Sequence, residues 1–70
     1  MSVVKVIELV GVSKKSWQDA VDNAVARAAE TIRNIRGVDV IGWTGKIEGN
    51  RIIEYRANVK ISFVIEKLTG

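Results

Sequence analysis

From Ile52 to Glu66 the chain alternates between apolar and polar side chains with almost no break. Ile53, Tyr55, Ala57, Val59, Ile61, Phe63 and Ile65 fall on one parity, and Glu54, Arg56, Asn58, Lys60, Ser62 and Glu66 on the other. A period of two is the pattern of a β-strand with one buried face. Fifteen residues in a single strand reach roughly 50 Å at ~3.3 Å each. A compact chain of 70 residues has a radius of gyration of only about 11 Å. Such a strand overruns any core its own subunit can build, so its overhang is expected to meet another copy of the chain.

The rest of the chain supplies partners for that strand. Val3 to Val10 is rich in β-branched residues and bounded by Gly11, which predicts a first strand. Ser16 precedes Trp17-Gln18-Asp19, so Ser16 is the expected helix cap and Asp19 complements the N-terminal dipole. Ser13 is the rival cap, one turn earlier. Trp17, Ala20, Val21, Ala24, Ala28, Ile32 and Ile35 then recur at helical spacing. They predict a helix of about 20 residues, roughly 30 Å long. Gly37 is the expected stop, with Arg33 and Arg36 in the last turn. Trp17, at the head of the apolar face, is expected in the core or at a subunit contact.

A second strand is expected from about Val38 to Ile47, with Gly42 and Gly45 marking a bulge. Glu48-Gly49-Asn50 is a turn of hairpin length leading into the long strand. The order βαββ puts a helical crossover between the first two strands, so both can flank the third, antiparallel to it. The chain, 1–70, thus reads as a single α+β domain: a three-stranded antiparallel sheet, order 1-3-2, wrapped around one helix. By parity Trp43 shares a face with Ile41 and Ile47, opposite Val38, Val40 and Thr44. The face bearing Arg56, Asn58 and Lys60 is expected either to be solvated or to line a cavity between subunits.

Composition narrows the chemistry. The chain has neither cysteine nor histidine, which removes disulfides, ordinary zinc or haem ligation, the commonest general base and the thiol nucleophile. Tyr55 lies on the core-facing parity, and Ser13 and Ser16 read as caps, so no enzymatic role is expected. The net charge of +3 comes from basic residues spread along the chain with acids among them. No RNP, KH or helix-turn-helix pattern is present, and a nucleic-acid partner is not expected. No segment has the length and apolarity of a membrane span, and the expected location is cytoplasmic. On the polar face Arg56, Asn58 and Lys60 can hold an anion or form ion pairs, and Glu54 and Glu66 offer oxygen ligands to a divalent ion where symmetry gathers several copies.

Taken in order, several segments are similar to those of a known family: Val4-x-Val6-Ile7-Glu8-Leu9-Val10-Gly11-x-Ser13, Ser16-Trp17-x-Asp19-Ala20-Val21, Ala24-x-Ala26-Arg27-Ala28, Ile32-x-Asn34-Ile35 and Glu54-Tyr55-Arg56-x-x-Val59-Lys60. Together they span roughly residues 3 to 66, and in order and spacing they resemble the dodecins. The resemblance implies a hollow shell of twelve copies with cubic symmetry. It also implies a small-molecule storage or buffering role for flavins such as riboflavin, lumichrome, FMN and FAD. In that family two flavin rings stack between two tryptophans near a dimer axis, and a glutamine on the third strand pairs with the ring edge. Here Gly37 stands at the position of the stacking tryptophan and Arg56 at that of the glutamine. The pocket lining implied for this chain is Arg36, Gly37, Val38, Trp43 and Arg56. Trp43 is expected at a core or subunit contact; the alternative is that a bulge at Gly42 turns it over to serve as a replacement stacking platform. Two further readings accompany the flavin one: a non-flavin member binding a divalent ion or an anionic metabolite, and a purely structural shell.

Overall fold

In a computed structural model describing residues 3–65, the chain forms β1 (Val3–Ser13), α1 (Trp17–Ala29), β2 (Ile35–Glu48) and β3 (Arg51–Ile65). β3 is the centre of a three-stranded antiparallel sheet of order β1-β3-β2. It pairs with β1 from Val3↔Ile65 to Ser13↔Tyr55 and with β2 from Ile35↔Phe63 to Glu48↔Arg51. The predicted alternation is seen in the burial: Ala57, Val59 and Ile61 are completely buried, whereas Arg56 and Lys60 are exposed. Glu66 and the segment 67–70 lie outside the described residues.

The core joins those β3 residues to Ala20, Val21, Ala24 and Ala28 of α1. Burying Val59 and Ile61 contributes roughly 1.5–3 kcal/mol for each side chain. Three alanines on the helix face let its backbone approach the sheet closely, and Gly11 completes the fit. A Cβ at Gly11 would clash with the Ala20 carbonyl oxygen, far inside van der Waals contact distance. Gly11 does not end the first strand as its position predicts; it lies within β1, which continues to Ser13.

The start of α1 settles the choice of cap. Ser16 Oγ accepts from the Asp19 amide at 3.0 Å, so Ser16 is the cap. Ser13 instead ties the end of β1 to the helix: its hydroxyl donates to Asp19 Oδ2 at 2.6 Å and accepts from the Lys15 amide at 2.9 Å.

The helix is shorter than its apolar spacing predicts. It has 13 residues and ends at Ala29, so Gly37 is not its stop, and Arg27 occupies the last turn in place of Arg33 and Arg36. Beyond Ala29 the backbone tightens, with the amides of Thr31 and Ile32 both reaching the Ala28 carbonyl at 3.2 and 2.9 Å. Asn34 then takes a left-handed conformation, φ 63°, which asparagine tolerates better than most residues. Ile32 and Ile35 still pack against the core, Ile32 from this turn and Ile35 as the first residue of β2. The stripe therefore continues in space where the helix does not. The hairpin turn is Gly49-Asn50, φ 60° and 62°. Positive φ at both central residues is the two-residue turn that matches strand twist.

The helix covers only part of the sheet. Thirteen residues span about 20 Å, while the molecule is 58 Å long and has a radius of gyration of 14.8 Å. Val3, Val4 and Ile65 remain exposed at one end, and Trp43, Ile47, Ile52 and Ile53 at the other.

Gly11→Ala should lower the denaturation midpoint strongly, because the added methyl meets rigid helix backbone. Gly42→Ala is the control: its Cβ would find only Asn58 Nδ2, at 3.7 Å. Equal midpoints for the two variants would contradict the close helix–sheet contact.

Candidate functional site

Which face of β2 a side chain occupies depends on a register shift between Val40 and Gly42. Before it, Val40 pairs with Val59; after it, Trp43 pairs with Ala57. Paired residues in a sheet point to the same side, and Val59 and Ala57 face the helix. Trp43 therefore shares the helix side with Val40, not the opposite side that simple parity predicts. One extra residue in β2 has turned it over. There it borders an open apolar recess of about 360 Å³ with Trp17.

Trp17 is held from two directions. Its Nε1 donates to the Thr44 carbonyl at 2.8 Å. Its ring meets Tyr55 edge to face, with centroids 4.7 Å apart and planes at 78°. Trp43 is 52% exposed.

The outer face of the sheet, away from the helix, has a different character. On β1 it presents the exposed Val4, Val6, Val10 and Val12. On β3 it presents Glu54, Arg56, Asn58, Lys60 and Ser62, and on β2 their partners Lys46, Thr44, Gly42, Asp39 and Gly37. Gly37 and Val38 border a recess of about 260 Å³ with Val6, Asp39, Lys60 and Ser62. A Cβ at Gly37 would lie 3.1 Å from Ser62 Oγ, so a larger side chain there would project beside Ser62. Arg56 borders a second recess, about 350 Å³, with Thr44, Gly45 and Lys46. Its Nε donates to Glu54 Oε2 at 2.8 Å, and its Nη2 lies 2.8 Å from the same oxygen.

The residues that the resemblance assigns to a pocket are thus dispersed within one chain. Gly37 and Val38 lie together, Arg56 is separate, and Trp43 is on the helix side. Arg36 is exposed at the register shift between Ile35 and Gly37. Ser62, the partner of Gly37, is six positions from Arg56 along β3, about 20 Å. Lys46 had no signal in the sequence, because its pairing with Glu54 depends on the hairpin register. Among the described residues, no three acids converge on a metal position.

The dodecin family profile matches residues 3–66. The chain is 38% identical over 63 residues to a calcium dodecin of Mycobacterium tuberculosis, covering 90% of this chain and 89% of that protein. This chain belongs to the dodecin family. A dodecin of Thermus thermophilus is 32% identical over 65 residues, covering 93% and 94% of the two chains. A solved structure from that organism superposes with a TM-score of 0.92 at 31% identity, over 97% of this chain and all of that one. The solved calcium dodecin, described as calcium chelating, superposes with a TM-score of 0.81 at 32% identity, over 97% of each chain. The βαββ architecture and 1-3-2 strand order therefore belong to a dodecin subunit.

Trp17→Phe keeps the ring packing but leaves the Thr44 carbonyl without its donor. It should cost about 0.5–1.5 kcal/mol in chemical denaturation. No change would mean that the Trp17 hydrogen bond contributes nothing to the join between α1 and β2.

Proposed function

We propose that this dodecin is the subunit of a hollow dodecamer that binds and stores a small ligand, of flavin type, where subunits meet. The observation that carries this reading is the distribution of exposed apolar side chains. Valines line the outer face of β1, and isoleucines and Trp43 extend past the helix at the hairpin end. Monomeric proteins rarely leave contiguous apolar surface of this kind uncovered, and association of copies buries it. The dispersal of Arg36, Gly37, Val38, Trp43 and Arg56 within one chain supports a ligand held by residues of several subunits. Its ring would rest on a surface without the family tryptophan, since Gly37 presents none, and Arg56 would meet its edge in place of an amide. Binding and storage need no catalytic group, in keeping with a sequence that offers no activated base or nucleophile.

A divalent ion is the second reading. The relative named calcium dodecin favours it, and Glu54 on the outer face would supply one oxygen ligand per subunit. Against it stands the engagement of Glu54 by Arg56 at 2.8 Å.

The expected native mass is twelve times 7.7 kDa, about 92 kDa by light scattering, and Val10→Asp should reduce it. Riboflavin added to this particle should lose fluorescence saturably, near one flavin per subunit. A particle of full mass that leaves riboflavin fluorescence unchanged would reject the flavin ligand. A heat of binding for calcium would then support the ion.

A further inference from the structure

We propose that Thr44, Lys46 and Arg56 form a site for an oxyanion, the phosphate or carboxylate group of a small anionic ligand. These residues and Glu54 make a block of two cross-strand pairs on the outer face, Thr44↔Arg56 and Lys46↔Glu54. The two cations stand on one diagonal of the block, about 7–8 Å apart at their Cβ atoms. That separation suits an anion that accepts from both heads. The recess beside them, about 350 Å³, is lined by Thr44, Gly45, Lys46 and Arg56.

The existing ion pairs leave donors for such a guest. Arg56 directs Nε and Nη2 at a single oxygen of Glu54. A guanidinium has five N–H donors, so both hydrogens of Nη1 and one of Nη2 remain. Glu54 acts here as a positioning residue, fixing the plane of the guanidinium on its own strand. On the other side Arg56 is paired with Val12, which offers no competing side-chain acceptor. Lys46 meets Glu48 at 3.8 Å with both side chains more than half exposed, an interaction of little strength in water. The Thr44 carbonyl is already taken by Trp17 Nε1, which fixes the backbone of the recess. The Thr44 hydroxyl makes no hydrogen bond among the described residues and is a third donor. Arginine matches phosphate and carboxylate oxygens with two parallel hydrogen bonds, and lysine adds a point charge.

This site rests on the reading that the outer face binds a small ligand, since Arg56 is shared with it, but the two fail separately: riboflavin carries no oxyanion and an inorganic anion carries no ring. The Trp17 indole N–H, bonded to Thr44, is a built-in reporter. The assembled protein, labelled with nitrogen-15, is titrated separately with inorganic phosphate and with succinate, against sodium chloride at matched ionic strength. The expected result is a saturable shift of the Trp17 indole resonance beyond that caused by chloride. Phosphate alone would assign phosphorylated ligands, and succinate alone would assign carboxylates; a response to both would assign the oxyanion itself. Arg56→Gln should weaken the response at least about tenfold. Arg56→Lys, which keeps the charge and loses the fork, should weaken it severalfold. Lys46→Gln, at an exposed position, tests the site even if the Arg56 variants fail to assemble, and should weaken it about threefold or more. A Trp17 resonance that responds to neither anion beyond chloride would overturn the proposal, as would equal responses in the wild type and the Lys46 variant.

Discussion

β3 is hydrogen-bonded on both sides along nearly its whole length, and this double pairing governs the rest of the architecture. A central strand of 15 residues needs two long neighbours, and both neighbours carry apolar side chains to the ends of the sheet. The helix between β1 and β2 must cross back over the same sheet, and it is far shorter than the sheet it covers. Ala57, Val59 and Ile61 receive the helix and are fully buried; Ile53 and Ile65, on the same side of the same strand, extend beyond it and remain exposed. The subunit thus has a sound core at its centre and unfinished surfaces at its ends. On the function proposed above, association with other copies would finish them, since neither disulfides nor the usual zinc ligands are available in this composition.

Two local departures from regularity decide what the surfaces present. The Gly11 contact lets the Ala20 backbone sit against β1, which brings the head of the helix, and with it Trp17, close to β2 and β3. The register shift before Gly42 then turns Trp43 to the helix side. Both tryptophans consequently lie on the side opposite Gly37, Lys46 and Arg56. The outer face keeps small residues, valines and charges, a surface suited to polar recognition where the family resemblance implies an aromatic sandwich.

The sequence made some of this legible. The alternation along β3 was readable because a strand with one face on a helix favours period two, and β3 departs from it only at Ile52 and Val64. The alanine stripe and Ser16 likewise marked the start and inner face of the helix. The end of the helix was not readable, because Ile32 and Ile35 keep the helical spacing while leaving the helix; the core rewards their position in space and not their backbone conformation. The side on which Trp43 lies was hidden for a related reason, since one inserted residue reverses parity and glycine marks only the region where that can occur. The grouping of Lys46 with Arg56 needed the hairpin register, which the Gly49-Asn50 turn fixes. The residues named for a pocket came from resemblance to dodecins. Their separation within one chain is a property of the three-dimensional arrangement that no spacing rule contains.

Small-angle X-ray scattering from the purified protein tests the dependence on assembly most directly. The expected profile is that of a hollow shell, with a pronounced minimum at intermediate angle and a pair-distance distribution weighted toward large separations. A profile matching an isolated rod 58 Å long with a radius of gyration near 14.8 Å would contradict it, and would mean that a sheet overhanging its helix at both ends is stable alone in water.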